Sequence, residues 1–215
     1  MRRVMIGTPS HSGTISVYYA NSLMETIRMT SIYGIEIMPI FLPGDALIQR
    51  ARNDLFKIAH DSGVDDLIWI DSDEAWKAED FIRLLSFEVD IVGGTARKKK
   101  EEEEYVVRIL PDQKNIDLSP SGLFEVEGIG CGFTRLSRKA LNEIWDSAEE
   151  LKDGSRSVFE VKVIDGQIYS EDILFCLKAR KLGLKIYMAY KITCDHIGQK
   201  IYSGNFEQYL LRLHT

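Results

Sequence analysis

The residues best suited to do chemistry lie in IWIDSDEAW, residues 68–76, where an apolar run ends abruptly in Asp71 and Asp73 with Ser72 between them. Two acids at a strand terminus concentrate negative charge, and a hard divalent cation with oxygen ligands relieves it. Mg2+ or Mn2+ held by one or two carboxylates keeps coordination positions open for phosphate oxygens. The same triplet also reads as a polar turn, with Asp73 capping a helix that starts near Lys77. In VEGIGCGF, Gly128, Gly130 and Gly132 either let the backbone approach a ligand or mark a bulged strand. Glu171 and Asp172 follow Ser170, a candidate N-cap, where acids complement the helix dipole. In QRARND, Arg50 and Asn53 stand three apart on one helical side beside an apolar face. They bind a nucleotide, or they form a charged helix border with Arg50 paired to Asp54. Arg97 follows the Gly93–Gly94 pair, where it can neutralise phosphate or contact a sugar. His196 sits after a strand, in a loop with Asp195 and Gly198, a context that His11, His60 and His214 lack.

These groups need a frame that brings them together. Arg3 to Gly7 reads as a buried strand followed by a polar loop, 8–14, and a helix from about Ser16 to Tyr33 with Tyr19, Leu23 and Ile27 on one face. Gly34 suits a left-handed cap. Glu36 to Phe41 is a second strand, and a helix carrying Leu47, Ala51, Leu55 and Ile58 on one face ends near Gly63. Asp66 to Ile70 is a third strand. Alternating strands and helices imply parallel pairing, right-handed crossovers and helices on the sheet faces, half of a Rossmann-like α/β sheet. Ligands in such sheets bind beyond the carboxyl ends of the strands, so the loops after Gly7 and Ile70 border one crevice. The second half reads as mixed sheet: strands at 89–93, 105–110 and 123–127, a helix at 137–151, a hairpin of 158–163 and 167–169 across Asp165-Gly166, a helix at 170–182, strands at 185–190 and 192–194, and a helix at 206–213. KKKEEEE, residues 98–104, reads as a solvated mobile loop or a flap over a ligand.

At 215 residues the chain suits one α/β domain. Apolar runs stop well short of the roughly 18 residues of a membrane span, and MRRVMIGTPS suits a first strand better than a secretory leader, so the expected location is cytosolic. Three cysteines without CxxC spacing argue against a disulfide framework and a thiolate zinc site. A net charge of −6 opposes nonspecific nucleic-acid binding.

With DSD at a strand end as its centre, the chain resembles the GT-A fold glycosyltransferases, near the large family 2 group and its viral and bacterial relatives. The resemblance runs from GTPS at Gly7 to DHIG at Gly198 and includes, in order, VEGIGCGFTRLSRKAL, SEDILFCLKARKLG and CDHIG. It implies a mixed, mainly parallel sheet in a single domain, 1–215, with a nucleotide-binding half at 1–75 and an acceptor and sugar half at 76–215. It implies that Asp71 and Asp73 hold Mn2+ or Mg2+ against the donor diphosphate and that His196 is a third ligand; imidazole is acceptable to Mn2+ when carboxylates share the site. It further implies that Gly130 lies near acceptor and sugar and that Asp172, with Glu171 beside it, supplies the general base. Thr8, Pro9 and Ser10 stand where the family holds the nucleoside.

The implied activity is transfer of a sugar from a UDP- or GDP-sugar to a hydroxyl acceptor on a glycan, with inversion from a single displacement. A nucleotidyltransferase would share the sheet and the metal, but its Gly-rich basic phosphate loop is missing from GTPSHSGT. A non-catalytic nucleotide-sugar or glycan-binding module is the other alternative. An aspartyl phosphatase is disfavoured, since its DxD ends the first strand.

Overall fold

The computed structural model describes all residues except Lys114, Asn115, Asp117, His214 and Thr215. The first half follows the alternation: β1 (Arg2–Ser10), α1 (Val17–Ile32), β2 (Ile35–Pro43), α2 (Ile48–Ser62) and β3 (Asp66–Ile70). Ser16 starts α1 by accepting the Tyr19 amide at 2.9 Å, and Gly63 closes α2 in the left-handed conformation that only glycine adopts without strain. β4 (Glu74–Ala75), α3 (Ala78–Ser86), β5 (Ile91–Ala96), β6 (Val107–Arg108), β7 (Leu123–Val126), β8 (Gly128–Ile129) and β9 (Phe133–Ser137) come next. The chain ends with α4 (Arg138–Ser147), the hairpin β10 (Lys162–Ile164) and β11 (Gln167–Tyr169), α5 (Glu171–Lys181), β12 (Ile186–Ile197), β13 (Ile201–Tyr202) and α6 (Phe206–Leu213).

One mixed sheet runs β13-β12-β5-β9-β3-β1-β2, with β4 and β7 also pairing β12. β1 is parallel to β2 and β3, β5 is parallel to β12, and β9 runs antiparallel between β3 and β5. Helices cover both faces. Leu55, Phe56, Trp69, Leu141, Phe159 and Phe175 fill one side, and Tyr19, Trp76, Phe81, Leu84 and Phe133 fill the other. All of β3 is buried, which explains its nearly unbroken apolar sequence.

Several elements depart from the sequence reading. β1 continues to Ser10 because pairing with β2 persists to Pro43. The strands expected at 185–190 and 192–194 are one strand, β12, whose register against β5 shifts between Met188 and Thr193. The strand expected at 105–110 shrinks to β6, and β9 occupies the middle of the sheet where a glycine loop was expected. On α2 the inward face is Ala51, Arg52, Asn53, Leu55, Phe56 and Ala59, leaving Leu47 and Ile58 exposed. KKKEEEE is a folded strap: the Lys98 amide donates to the Glu104 carbonyl at 2.8 Å, Lys98 and Lys100 both reach the Glu104 carboxylate at 3.1 Å, and Lys200 holds Glu101 at 2.6 Å. Among the described residues no helix is long and apolar enough to cross a membrane.

Candidate active site

The DSD turn is fixed by backbone bonds on every side. The Asp71 amide donates to the Gly132 carbonyl (3.1 Å), the Glu74 amide to the Asp71 carbonyl (3.0 Å) and the Ile197 amide to the Asp73 carbonyl (2.6 Å). The Ser72 carbonyl accepts from the Ser16 amide at 3.5 Å, which ties the turn to the start of α1. β4 pairs with β12 so that Glu74 stands opposite His196. His196 therefore lies at a strand end, where the sequence suggested a loop.

The His196 ring has one nitrogen, Nδ1, 3.0 Å from the Arg97 carbonyl and the other, Nε2, 3.5 Å from Asp73 Oδ2. With Nδ1 donating to the carbonyl, a protonated Nε2 faces Asp73 Oδ2 as a donor, whereas the neutral ring presents a lone pair there beside that of Oδ2. A cation there would satisfy both, and the carbonyl bond orients the ring as metal-bound histidines require. The donor set thus fits Mn2+ or Mg2+ with two protein ligands, the rest coming from phosphate oxygens and water. Among the described residues no three His, Cys, Asp or Glu side chains converge on a single point. Asp71 turns one oxygen to Arg52 at 2.9 Å. Asp73 also receives the Lys99 ammonium, whose stem lies across Gly198. Burial works against the Asp73 charge, but the bonds from His196 and Lys99 outweigh it and hold its carboxyl at about 2.

Arg52 and Glu74 line the site and were missed by the sequence reading, and Arg52 is the more central of the two. It is 3% exposed, stacks 5.4 Å from the Trp69 ring and 5.9 Å from the Phe159 ring, donates to the Cys131 carbonyl at 3.2 Å, and lies 3.5 Å from Glu171. Burial opposes its charge, but Asp71 and then Glu171 keep it protonated. It thereby joins the DSD turn to the start of α5. The signal was its place between Arg50 and Asn53 on a helix whose inward face was assigned by apolar residues alone.

On α5, Asp172 Oδ1 accepts the Ile173 amide at 2.7 Å and the Ser170 hydroxyl, so Ser170 serves the acid side chain instead of capping the helix. Oδ2 faces Gly130, where an added Cβ would stand 3.6 Å away. Burial pushes the Glu171 carboxyl up, and Arg52 opposes that shift. Asp71, Glu74, Glu171, Asp172, Arg52 and His196 all line one cavity of about 140 Å³, together with Gly130 and Gly132. Burial, then Asp71 and Asp73, push the Glu74 carboxyl well above the ordinary range.

Other expected residues stand elsewhere. Arg50 points to solvent and pairs with Asp45 at 2.6 Å, not Asp54, because Asp45 in the preceding turn also caps the Leu47 amide. Asn53 is buried on a different side of α2 from Arg50; it accepts the Phe159 amide at 2.7 Å and donates to the Phe159 carbonyl at 3.0 Å, clamping that segment. Arg97 holds the Lys100 carbonyl at 3.2 Å and the Glu101 carbonyl at 2.5 Å, so it braces the strap. Thr8 bonds the Tyr19 hydroxyl at 2.5 Å, Ser10 bonds the Thr14 carbonyl at 2.7 Å, and Pro9 is buried. Pairing of β1 with β3 stops at Gly7, and none of Thr8, Pro9 and Ser10 lines the cavity around Arg52 and Glu74. A larger cleft of about 720 Å³ lies at the other end of the sheet, where Arg2 and Arg135 both pair with Asp66, at 2.7 Å and 3.5 Å.

No family model and no curated protein sequence matches the chain. Among solved structures, A197 from STIV has a TM-score of 0.58 and 19% identity over 93% of this chain and 87% of that chain. The fold is therefore shared with A197: one mixed, Rossmann-like sheet flanked by helices. Weaker likenesses are to residues 1–349 of S. aureus TarS in complex with UDP-GlcNAc (TM-score 0.46, 13% identity, 99% of this chain and 65% of that chain) and to a nucleoside-diphosphate-sugar pyrophosphorylase from Vibrio cholerae (TM-score 0.46, 10% identity, 97% and 99%). At these identities the likenesses describe architecture, and the roles of side chains rest on the geometry above.

Proposed function

We propose that this chain is a metal-dependent glycosyltransferase that moves a sugar from a UDP- or GDP-sugar to a hydroxyl acceptor, with inversion. The observation that carries the reading is the bridge from Asp71 through Arg52 to Glu171, which sets the DSD turn and the start of α5 on opposite sides of one cavity. Asp73 and His196 would hold Mn2+ or Mg2+. When bound, the cation supplies charge neutralisation for the departing diphosphate. Asp172 is the general base: Ser170 and Ile173 engage Oδ1, which leaves Oδ2 to take the acceptor's proton as its hydroxyl attacks the anomeric carbon. Arg52 holds Glu171 and Asp71 in register, so that the cation side and the base side keep a fixed separation.

The test is release of nucleoside diphosphate from a panel of UDP- and GDP-sugars, with and without Mn2+. Asp73→Asn should abolish the metal-dependent part. Asp172→Asn should slow transfer by about 10²–10⁴-fold at unchanged donor affinity, since an amide cannot accept the proton. Binding of a nucleotide sugar without turnover would instead make the chain a recognition module, and a normal rate in Asp172→Asn would pass the base role to Glu171.

A further inference from the structure

Two buried polar atoms in the cavity have no hydrogen-bond partner: Glu74 Oε2 and Arg52 Nε. Glu74 is 5% exposed and Arg52 is 3% exposed. The approach of Arg52 Nε to Glu171, at 3.5 Å, is an ion pair without hydrogen-bond geometry. Buried polar atoms are ordinarily paired, so an orphan acceptor and an orphan donor on two residues that line one cavity need an explanation. The room for the Glu74 carboxyl is made by Gly132, where an added Cβ would stand 2.1 Å from Oε1 and 2.9 Å from Cδ.

The chemistry of the pair narrows what fills the space. Phosphate offers acceptors alone and is repelled by Glu74 once a cation beside it keeps the carboxyl ionised. An ammonium offers donors alone and is repelled by Arg52. Neighbouring hydroxyls, each able to donate and accept, satisfy both atoms at once. The cavity is lined by both His196 and Asp172, so it joins the cation side to the base side, where the transferred group must sit in the proposed reaction.

We infer that Glu74 and Arg52 recognise a vicinal diol of the transferred sugar, and that Glu74 sets which sugar is accepted. This rests on the glycosyltransferase reading and assigns Glu74 a role separate from that of the two aspartates beside it. Glu74 discriminates because a sugar with one of those hydroxyls inverted or removed leaves the buried carboxyl unpaired, a defect that separates substrates strongly.

Calorimetry on the full chain with Mn2+ tests the assignment, using UDP and GDP alone and their glucose, galactose and mannose conjugates. Wild type, Glu74→Met and Glu74→Gln are compared, with melting temperatures to confirm folding. Glu74→Met should bind the free nucleoside diphosphates within about twofold of wild type, lose at least tenfold in affinity for the preferred nucleotide sugar, and discriminate less between the hexoses. Glu74→Gln should fall between. A folded Glu74→Met with an unchanged ratio of nucleotide-sugar to nucleotide affinity overturns the assignment. If that variant does not fold, an unchanged ratio in Glu74→Gln overturns it. Failure of wild type to bind any nucleotide or nucleotide sugar removes the glycosyltransferase reading itself, a result distinct from loss of the Glu74 role alone.

Discussion

The Glu74 carboxyl is buried between Asp71 and Asp73, and Arg52 and Lys99 offset that field only in part. Its folded-state affinity for a proton therefore exceeds the ordinary carboxyl value of 4.5. An acid with a raised folded value binds more protons folded than unfolded above that ordinary value, so stability falls as pH rises through the window between the two. In metal-free protein, the melting temperature should drop from about pH 4.5 upward in wild type. Glu74→Gln, neutral throughout, should escape that part of the loss. The expected readout is a melting-temperature difference, Glu74→Gln minus wild type, that grows with pH; a difference constant from pH 4.5 to 8 would mean that Glu74 titrates normally. Asp73 behaves in the opposite sense. Its depressed value means that its contribution is present above the ordinary carboxylate range and fades as pH falls towards about 2. Two acids one residue apart thus respond to pH in opposite directions because one has a histidine and a lysine at bonding distance and the other has an unsatisfied buried oxygen.

At the scale of elements, α2 carries the molecule's least conventional packing, since its inward face includes Arg52 and Asn53 among Ala51, Leu55 and Phe56. Asn53 replaces a strand partner for the 158–160 segment by engaging both backbone groups of Phe159, whose ring stacks on Phe175 at 4.7 Å. Asn53→Ala should therefore cost about 1–3 kcal/mol for each backbone group left unpaired, read as a shift in the denaturation midpoint. It should also quicken amide exchange in 155–160 before it does so in β1 or β3. Exchange that rises uniformly would assign Asn53 a global role instead. The same helix shows what sequence can and cannot give. α2 and its Gly63 cap follow from periodicity and a left-handed glycine, and β3 follows from an apolar run that stops at two acids. The inward turn of Arg52 does not follow, because its partners Asp71, Cys131 and Glu171 are distant in sequence and only the sheet brings them near. β9 escaped for a related reason: FTRLS has Thr134 and Arg135 buried beside β3 and β5, and a buried arginine masks a strand that period alone would reveal. The hairpin turn was legible, since Asp165 and Gly166 both take positive φ as a two-residue turn demands, but its first strand is Lys162–Ile164 and not 158–163, because Asn53 holds both backbone groups of Phe159.

Across the whole molecule, the net charge of −6 is distributed unevenly, and the acids of the cavity exceed its cations. The strap at 98–104 answers part of that excess from outside. Its outer charges are held locally by Glu104 and Tyr105 and from the far end of the chain by Lys200 and Arg212, while Lys99 reaches inward to Asp73. The ammonium therefore occupies the same carboxylate oxygen that faces His196. A divalent cation binding between Asp73 and His196 has to displace it, so the two cations compete for one carboxylate. The cost of displacement is small, because the pair is partly exposed and exposed ion pairs contribute about 0.2–1 kcal/mol. Lys99→Ala should accordingly tighten Mn2+ binding by roughly 1.4- to fivefold, the factor that energy implies. His196→Ala should weaken it. Raising the salt concentration should narrow the gap between wild type and Lys99→Ala, since screening weakens the exposed pair. Mn2+ titration by electron paramagnetic resonance, which counts free ion without requiring turnover, measures all three. Equal Mn2+ affinity in wild type and Lys99→Ala would show that the lysine and the metal use different oxygens. Weaker affinity in Lys99→Ala would show that the strap builds the metal site instead of guarding it.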